Sequence, residues 1–237
     1  GNLMEFARGA AGRYEFLLPL DADSLMSGEA ILRLVRILQA APRLAVLQSL
    51  AVGRPAASAF ARVFQFGMRH GMRTHATGLA WYQGAAGPYW GHNALLRLDV
   101  FAAHARLPEL PGGPPFGGPI LSHDQVEAAL IRAAGWEVRV LPEEGGSYEA
   151  NPTDLAEFIR RDLRWCLGNL QYLKLLGRPG FAPMGRFQLA NAVAMYAGAP
   201  AAILLLLCGV AEALAGGSGA GCFAGFLAGI GLGSLPR

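Results

Sequence analysis

The chain has 237 residues, 53% of them hydrophobic and only 16% charged, with a net charge of +3. Soluble domains carry about 25% charged residues, so part of this chain is built for a solvent other than water. The basic excess is too small to suggest nucleic acid as a partner, and Cys166, Cys208 and Cys222 lack the spacing of a metal site or disulfide framework.

The sequence opens on GNLMEF without an initiator Met and reads as part of a longer protein. Phe16 to Leu20 reads as a buried strand ending in Asp21-Ala22-Asp23. If the strand persists, both carboxylates point the same way, and two hard oxygen ligands suit Mg²⁺ or Mn²⁺. The plainer reading is an Asp-rich turn before the next helix. Ser27 can cap a helix over 28–40 with Ile31, Leu34, Val35 and Leu38 on one face. Leu44 to Leu47 reads as the next strand. Strand, helix, strand in this order predicts an α/β fold with a mostly parallel sheet.

Residues 56–75 read as a helix, followed by a stretch rich in Gly and aromatics that ends in PYWGHNALLR. There Gly91 lets backbone approach a ligand, and Tyr89, Trp90 and His92 offer stacking and hydrogen bonds; the alternative is a hairpin with aromatic core residues. LPELPGGPPFGGP excludes regular structure. His123 and Asp124 then stand at the mouth of a helix over 125–134, where a carboxylate can act as general base or simply cap the helix. Val138 to Leu141 reads as a short strand. Thr153 can cap a long helix over 154–176, on which Arg161, Arg164 and Trp165 share one face. Arginine forks bind phosphate oxygens and a Trp ring stacks on sugars; an interfacial basic helix beside a membrane explains the same residues.

From Phe187 to Pro236 the only charged residue is Glu212. The uncharged run 187–211 exceeds the roughly 20 residues that cross a bilayer. A second run, 213–236, carries Gly217, Gly221, Gly225, Gly229 and Gly233, a small-residue strip along which another helix could pack. Arg160, Arg161, Arg164, Lys174, Arg178 and Arg186 precede the first run, which puts residues 1–186 on the cytoplasmic side. The expected organisation is a catalytic unit over 1–186 and a membrane region over 187–237 with one to two spans.

Taken in order, LDADS, PYWGHNA, PFGGPILSHDQVEAAL, GSYE and RRDLRWCLGNLQ followed by apolar spans resemble the processive membrane glycosyltransferases of family 2, which include the cellulose and hyaluronan synthases. The finer resemblance is to the branch that makes osmoregulated periplasmic glucans. It covers roughly residues 17–172. It implies a GT-A fold with a mixed, mostly parallel sheet and flanking helices, UDP-glucose as donor, a growing glucan as acceptor, an inverting reaction that makes a β-linked product, and a bacterial inner membrane location with several spans. It implies that Asp21 and Asp23 form the donor's acidic pair with Asp23 on the metal. Asp124 is then the base, Arg161 and Arg164 bind diphosphate, and Trp165, Trp90, Gly91, His92, Asn93 and His123 line the acceptor. A periplasmic glucan-processing partner also follows. The wider family carries Gln where Arg161 stands. Its first strand and uracil-binding Asp are expected upstream of Gly1, so this stretch alone is expected to be inactive. Alternatives are a cellulose, hyaluronan or chitin-type synthase and an inactive membrane scaffold.

Overall fold

The computed structural model describes residues 2–214 together with Gly221 and Gly225. A short helix α1 (Asn2–Ala10) leads to strand β1 (Phe16–Leu17), β2 (Leu25–Met26), α2 (Gly28–Ala40) and β3 (Leu44–Gly53). Helix α3 (Ala59–Gln83), β4 (Ala94–Arg97) and α4 (Leu98–His104) follow. After a loop come α5 (Asp124–Ala133), β5 (Glu137–Glu149), α6 (Leu155–Leu170), a 3₁₀ turn over Gln171–Lys174 and α7 (Pro183–Leu214).

The strands form one sheet in the order β1-β4-β3-β5-β2. It is mixed rather than mostly parallel: only β3 and β5 pair in parallel, and the other three pairings are antiparallel. The reason is specific. β1 and β3, joined through α2, do run in the same direction, but β4 inserts antiparallel between them. The carboxyl ends of β1, β3 and β5 and the amino end of β4 therefore all reach one edge of the sheet, where ligands of α/β proteins bind.

β3 is buried along nearly its whole length, because helices cover both sheet faces. Val46 and Leu96 face a core shared with Phe101, Ala128 and Ile131, whereas their neighbours Leu47 and Leu95 face Leu34 and Leu38 of α2. That is the two-residue alternation of a strand. Ser27 caps α2, its Oγ accepting from Ala30 N–H at 3.2 Å. On α2 the buried face is Ala30, Leu34 and Leu38, with Ile31 and Val35 only half-buried.

Several boundaries differ from expectation. Only Phe16 and Leu17 join the sheet, half-buried, because Asp21 to Ser24 fold into a turn closed by Ser24 N–H on Asp21 O at 3.0 Å. β3 runs on to Gly53 and β5 to Glu149. Across Pro142, which cannot donate to a ladder, the β3–β5 register jumps from Ser49–Leu141 to Leu50–Glu144. α3 continues to Gln83, eight residues past its expected end at 75. The helix expected over 154–176 is capped by Asp154, which accepts from Glu157 N–H at 2.8 Å, while Glu157 reaches back to Thr153 N–H. It tightens into the 3₁₀ turn after Leu170.

α7 starts at Pro183 and buries Gln188, Leu189, Ala192 and Val193 against the 3₁₀ turn and α5. From Met195 to Leu214 its large apolar side chains are bare. Residues 183–212 are long and apolar enough to cross a membrane, with mean hydropathy 2.1. This is the single such helix among the described residues. Of the second apolar run, residues 213 and 214 end α7 and Gly221 and Gly225 are helical; the rest lies outside the described residues. Two of the six preceding cations are committed to the domain: Lys174 donates to Pro111 O at 2.6 Å, and Arg186 to Phe181, Leu176 and Arg178 carbonyls.

Candidate active site

The PYWGHN segment crosses the shared sheet edge just before β4. Asn93 adopts φ +51, a conformation Asn tolerates better than most residues. It is fully buried. Its Nδ2 donates to Ser147 Oγ at 2.8 Å and Tyr148 O at 3.2 Å, which fixes the amide so that Oδ1 is left to accept. Its carbonyl accepts from Ser49 Oγ at 2.5 Å and from Ser49 N–H at 3.2 Å. Buried Gln48 adds bonds to the His92 and Asn93 carbonyls and accepts from Trp90 N–H at 2.8 Å. Asn93 thus braces the turn from inside instead of facing an acceptor. Trp90 is half-buried, packing on one side against the cluster of Leu50, Ala76 and Val140.

His92 turns outward from this brace. Its Nδ1 lies 3.1 Å from Asn93 Oδ1 and 3.4 Å from Ser24 Oγ, which sits beside Asp23. Its Nε2 lies 3.6 Å from Glu149 Oε2 at the end of β5. β2, directly after the acidic turn, pairs with Ser147 and Tyr148. Glu149 therefore senses several groups at once. Burial pushes its carboxyl up, His92 and Arg161 pull it down, and Asp23 and Asp21 push it up again.

Asp124 is the first residue of α5, with His123 as the residue before it. A methyl group built on Gly91, whose φ is +90, would lie 3.5 Å from Asp124 Cβ and 3.8 Å from His123 Cε1. These are ordinary contacts, so it is the positive φ rather than lack of space that favours glycine here. Burial raises the Asp124 carboxyl above the usual range, opposed by the His123 charge and by the N–H groups of Gln125 and Asp124 itself. His123 Nδ1 donates to Glu127 Oε2 at 3.0 Å, and this bond raises its pKa. Geometry links the acidic turn to this point: Gly91 lies against Asp124, and the next residue, His92, has its Nδ1 3.4 Å from Ser24 Oγ beside Asp23.

The 119–123 segment that delivers Asp124 is clamped by the end of α6. Gln171 accepts from Leu121 N–H at 2.9 Å and donates to Pro119 O at 3.2 Å, and Tyr172 OH donates to Ser122 O at 2.8 Å. Gly168 leaves room for Ser122, whose backbone N would stand 2.8 Å from a methyl there. Two turns earlier, the Arg161 guanidinium lies over Trp165 at 4.6 Å and faces Phe64 at 5.9 Å, with a buried Nε that has no hydrogen-bond partner among the described residues. Arg161 reaches the cleft electrostatically through Glu149. Arg164 is exposed on α6 and makes no ion pair among the described residues.

Asp21 and Asp23 are both exposed, and neither carboxylate is ion-paired or hydrogen-bonded among the described residues. No group of three or more His, Cys, Asp or Glu is gathered there as a ready-made cage. A pair of free hard oxygens fits a cation that takes its remaining ligands from phosphates and water.

Residues 16–232 match the family described as glycosyl transferase family group 2. The chain belongs to that family. It is 44% identical over 91% of its length to a glucans biosynthesis glucosyltransferase H of Xylella fastidiosa, and 45% identical over 83% to one of Cereibacter sphaeroides. A third relative of the same name, from Rhodopseudomonas palustris, is 43% identical over 89% of the chain. The chain spans about a third of the length of these relatives, 34%, 33% and 30% respectively. The mixed sheet with flanking helices fits the GT-A fold that the family resemblance implied.

Sequence reasoning overlooked the second layer of this family 2 site. Glu149 was quoted within GSYE but given no task. Glu127 carried a usable signal: a carboxylate on the apolar side of α5, between buried Val126 and Ala128 and one turn before Ile131. Gln48, Gly168, Gln171 and Tyr172 act by contact with segments distant in sequence and carried no local signal.

Proposed function

We propose that this chain is part of an inverting glucosyltransferase that uses UDP-glucose to extend the β-linked backbone of osmoregulated periplasmic glucans. What supports the reading is a chain of contacts at one sheet edge: Gly91 against Asp124, His92 between Ser24 of the acidic turn and Glu149, and Gly168 of α6 against Ser122, two residues before Asp124. The name shared by the relatives supports glucan as product and glucose as the transferred sugar.

In this mechanism Asp124 takes the proton from the acceptor hydroxyl as it attacks the anomeric carbon. Burial raises this carboxyl, which makes its ionised form a stronger base than a carboxylate in water. Charge grows on the departing diphosphate, and Arg161 and Arg164 oppose it. Asp23 would hold a Mg²⁺ or Mn²⁺ ion, which when bound neutralises part of that same charge. Asp21 faces the donor's sugar or ribose. Trp165 and Trp90 give the glucan chain flat surfaces, and Gly91, His92 and His123 border its reacting end. No enzyme nucleophile takes part, which suits a single in-line displacement. α7 would anchor the site at the inner membrane, with further spans in the whole protein, so that the polar product can leave across lipid toward a periplasmic glucan-processing partner.

The test is to supply membranes carrying the full-length protein with labelled UDP-glucose and, separately, labelled UDP-N-acetylglucosamine. Polymer labelled from UDP-glucose alone is the expected result. Label entering only from the amino sugar rejects the donor and favours a hyaluronan or chitin-type synthase.

A further inference from the structure

Glu127 is a buried carboxylate, its side chain only 6% exposed, and the proposed reaction gives it no task. Its side chain makes one hydrogen bond among the described residues, to His123 Nδ1 at 3.0 Å. Stability does not explain the pair. Replacing a buried ion pair by apolar side chains is often neutral or stabilising. A protonated His at a helix amino terminus also opposes the helix dipole. What the bond does achieve is to fix a ring. A carboxylate can only accept, so Nδ1 carries the hydrogen and Nε2 is the free nitrogen. Cε1, which neighbours Nε2 in the ring, turns toward Gly91 at the Asp124 cleft. The His123 side chain is 43% exposed, so this edge is open to a ligand.

We propose that Glu127 is a positioning residue for glycosyl transfer: from the buried side of α5 it locks the ring and tautomer of His123, so that Nε2 is presented beside Asp124 to a hydroxyl of the acceptor sugar. The inference rests on the acceptor lying between Gly91 and Asp124, as in the proposed function. The orienting logic is that of a carboxylate holding a histidine in a hydrolase triad, applied here to binding a hydroxyl beside a separate base.

The test is a double-mutant cycle in the full-length protein in membranes, using whichever nucleotide sugar the wild type consumes. Glu127→Gln keeps the shape but can donate to Nδ1, which reverses the tautomer. It is expected to lower kcat at least tenfold with donor KM within twofold of wild type, and Glu127→Asp is expected to recover part of the loss. In a His123→Ala background the same Glu127→Gln change is expected to cost less than twofold, because its effect passes through the ring. Wild-type kcat in Glu127→Gln, or an equal loss in the His123→Ala background, overturns the proposal. Should Glu127→Gln fail to fold, His123→Gln decides: it keeps a donor for Glu127 at an exposed position, and wild-type kcat there also overturns it. A wild type that uses another donor revises the donor assignment and leaves this comparison intact.

Discussion

Gly91 and Asp124 meet across the cleft, with 3.5 Å between Asp124 Cβ and the position a methyl group would take on Gly91. Two costs follow for any substitution. The backbone φ of +90 strains a residue with a side chain by about 1–3 kcal/mol. The added carbon also occupies the approach to the Asp124 carboxylate. Gly91→Ala is expected to lower the melting temperature and to cut glycosyl transfer at least tenfold; activity near wild type would show that the cleft is not used.

Asp124→Asn should separate stability from activity. Burial disfavours the charged carboxylate, so its folded pKa stands above the unfolded one. Its favourable contribution is then full below the unfolded pKa and is lost as pH rises through the folded pKa, which makes the ionised form a cost at neutral pH. The amide removes that cost. We expect transfer to fall by roughly 10²–10⁴-fold, the range for loss of a general base, with thermal stability at pH 7 unchanged or higher. In the wild type, the rate should fall as acid protonates this raised carboxyl. Wild-type transfer in the Asn variant would remove Asp124 as the base, whereas cellular function kept without any transfer would favour an inactive scaffold.

Much of this was legible in the sequence because it is local. Ser27 as a cap, the helix that Asp124 opens, and the apolar helix before Glu212 follow from spacing within a few residues. The turn at Asp21–Ser24 was an open alternative, settled by one backbone bond that no periodicity encodes. The direction of the sheet was misjudged for a non-local reason: β4 inserts between two strands whose connection correctly implied parallel direction. The same distance effect hid Gln48, Ser49 and Ser147, which hold Asn93 from two strands, and so disguised a brace as a ligand contact.

Gly168→Ala tests the clamp between α6 and the Asp124 segment. A methyl there would meet Ser122 Oγ and come to 2.8 Å from Ser122 N and 2.9 Å from its Cβ. Backbone cannot rotate away as a side-chain tip can, so α6 and the 119–123 segment must separate. Overpacking of this kind costs about 1–3 kcal/mol. The expected result is a lower melting temperature together with a kcat loss larger than for a comparable change on the far side of α6, such as Leu163→Ala.

Arg161→Lys keeps the charge but removes the planar fork. The guanidinium lies 4.6 Å from the Trp165 ring and 5.9 Å from that of Phe64, and an ammonium neither stacks in this way nor binds two phosphate oxygens at once. Donor KM should rise about tenfold or more, roughly the 1.4 kcal/mol of one lost charge-assisted bond. Binding of UDP alone, followed by quenching of tryptophan emission, should weaken in parallel. Unchanged UDP affinity would move the diphosphate away from this helix face.

The bare part of α7 makes a prediction about where the protein resides. Met195 to Leu214 is about 30 Å of helix at 1.5 Å per residue, which matches the hydrocarbon thickness of a bilayer. Below it, Leu189, Ala192 and Val193 are packed into the domain, and Tyr196 OH donates to Asp162 of α6 at 3.0 Å. The exposed length and the docked length thus divide at one level. Leu205 is near the middle of the bare segment and is exposed, so Leu205→Arg disturbs no packing seen within the chain. In a bilayer it costs about 2.5–3.5 kcal/mol at the helix centre. We expect this variant, in the full-length protein, to be partly released by alkaline carbonate or removed by proteolysis, with Leu205→Ala behaving as wild type. Equal retention of the Arg variant would mean that this face of α7 is covered by protein and not by lipid.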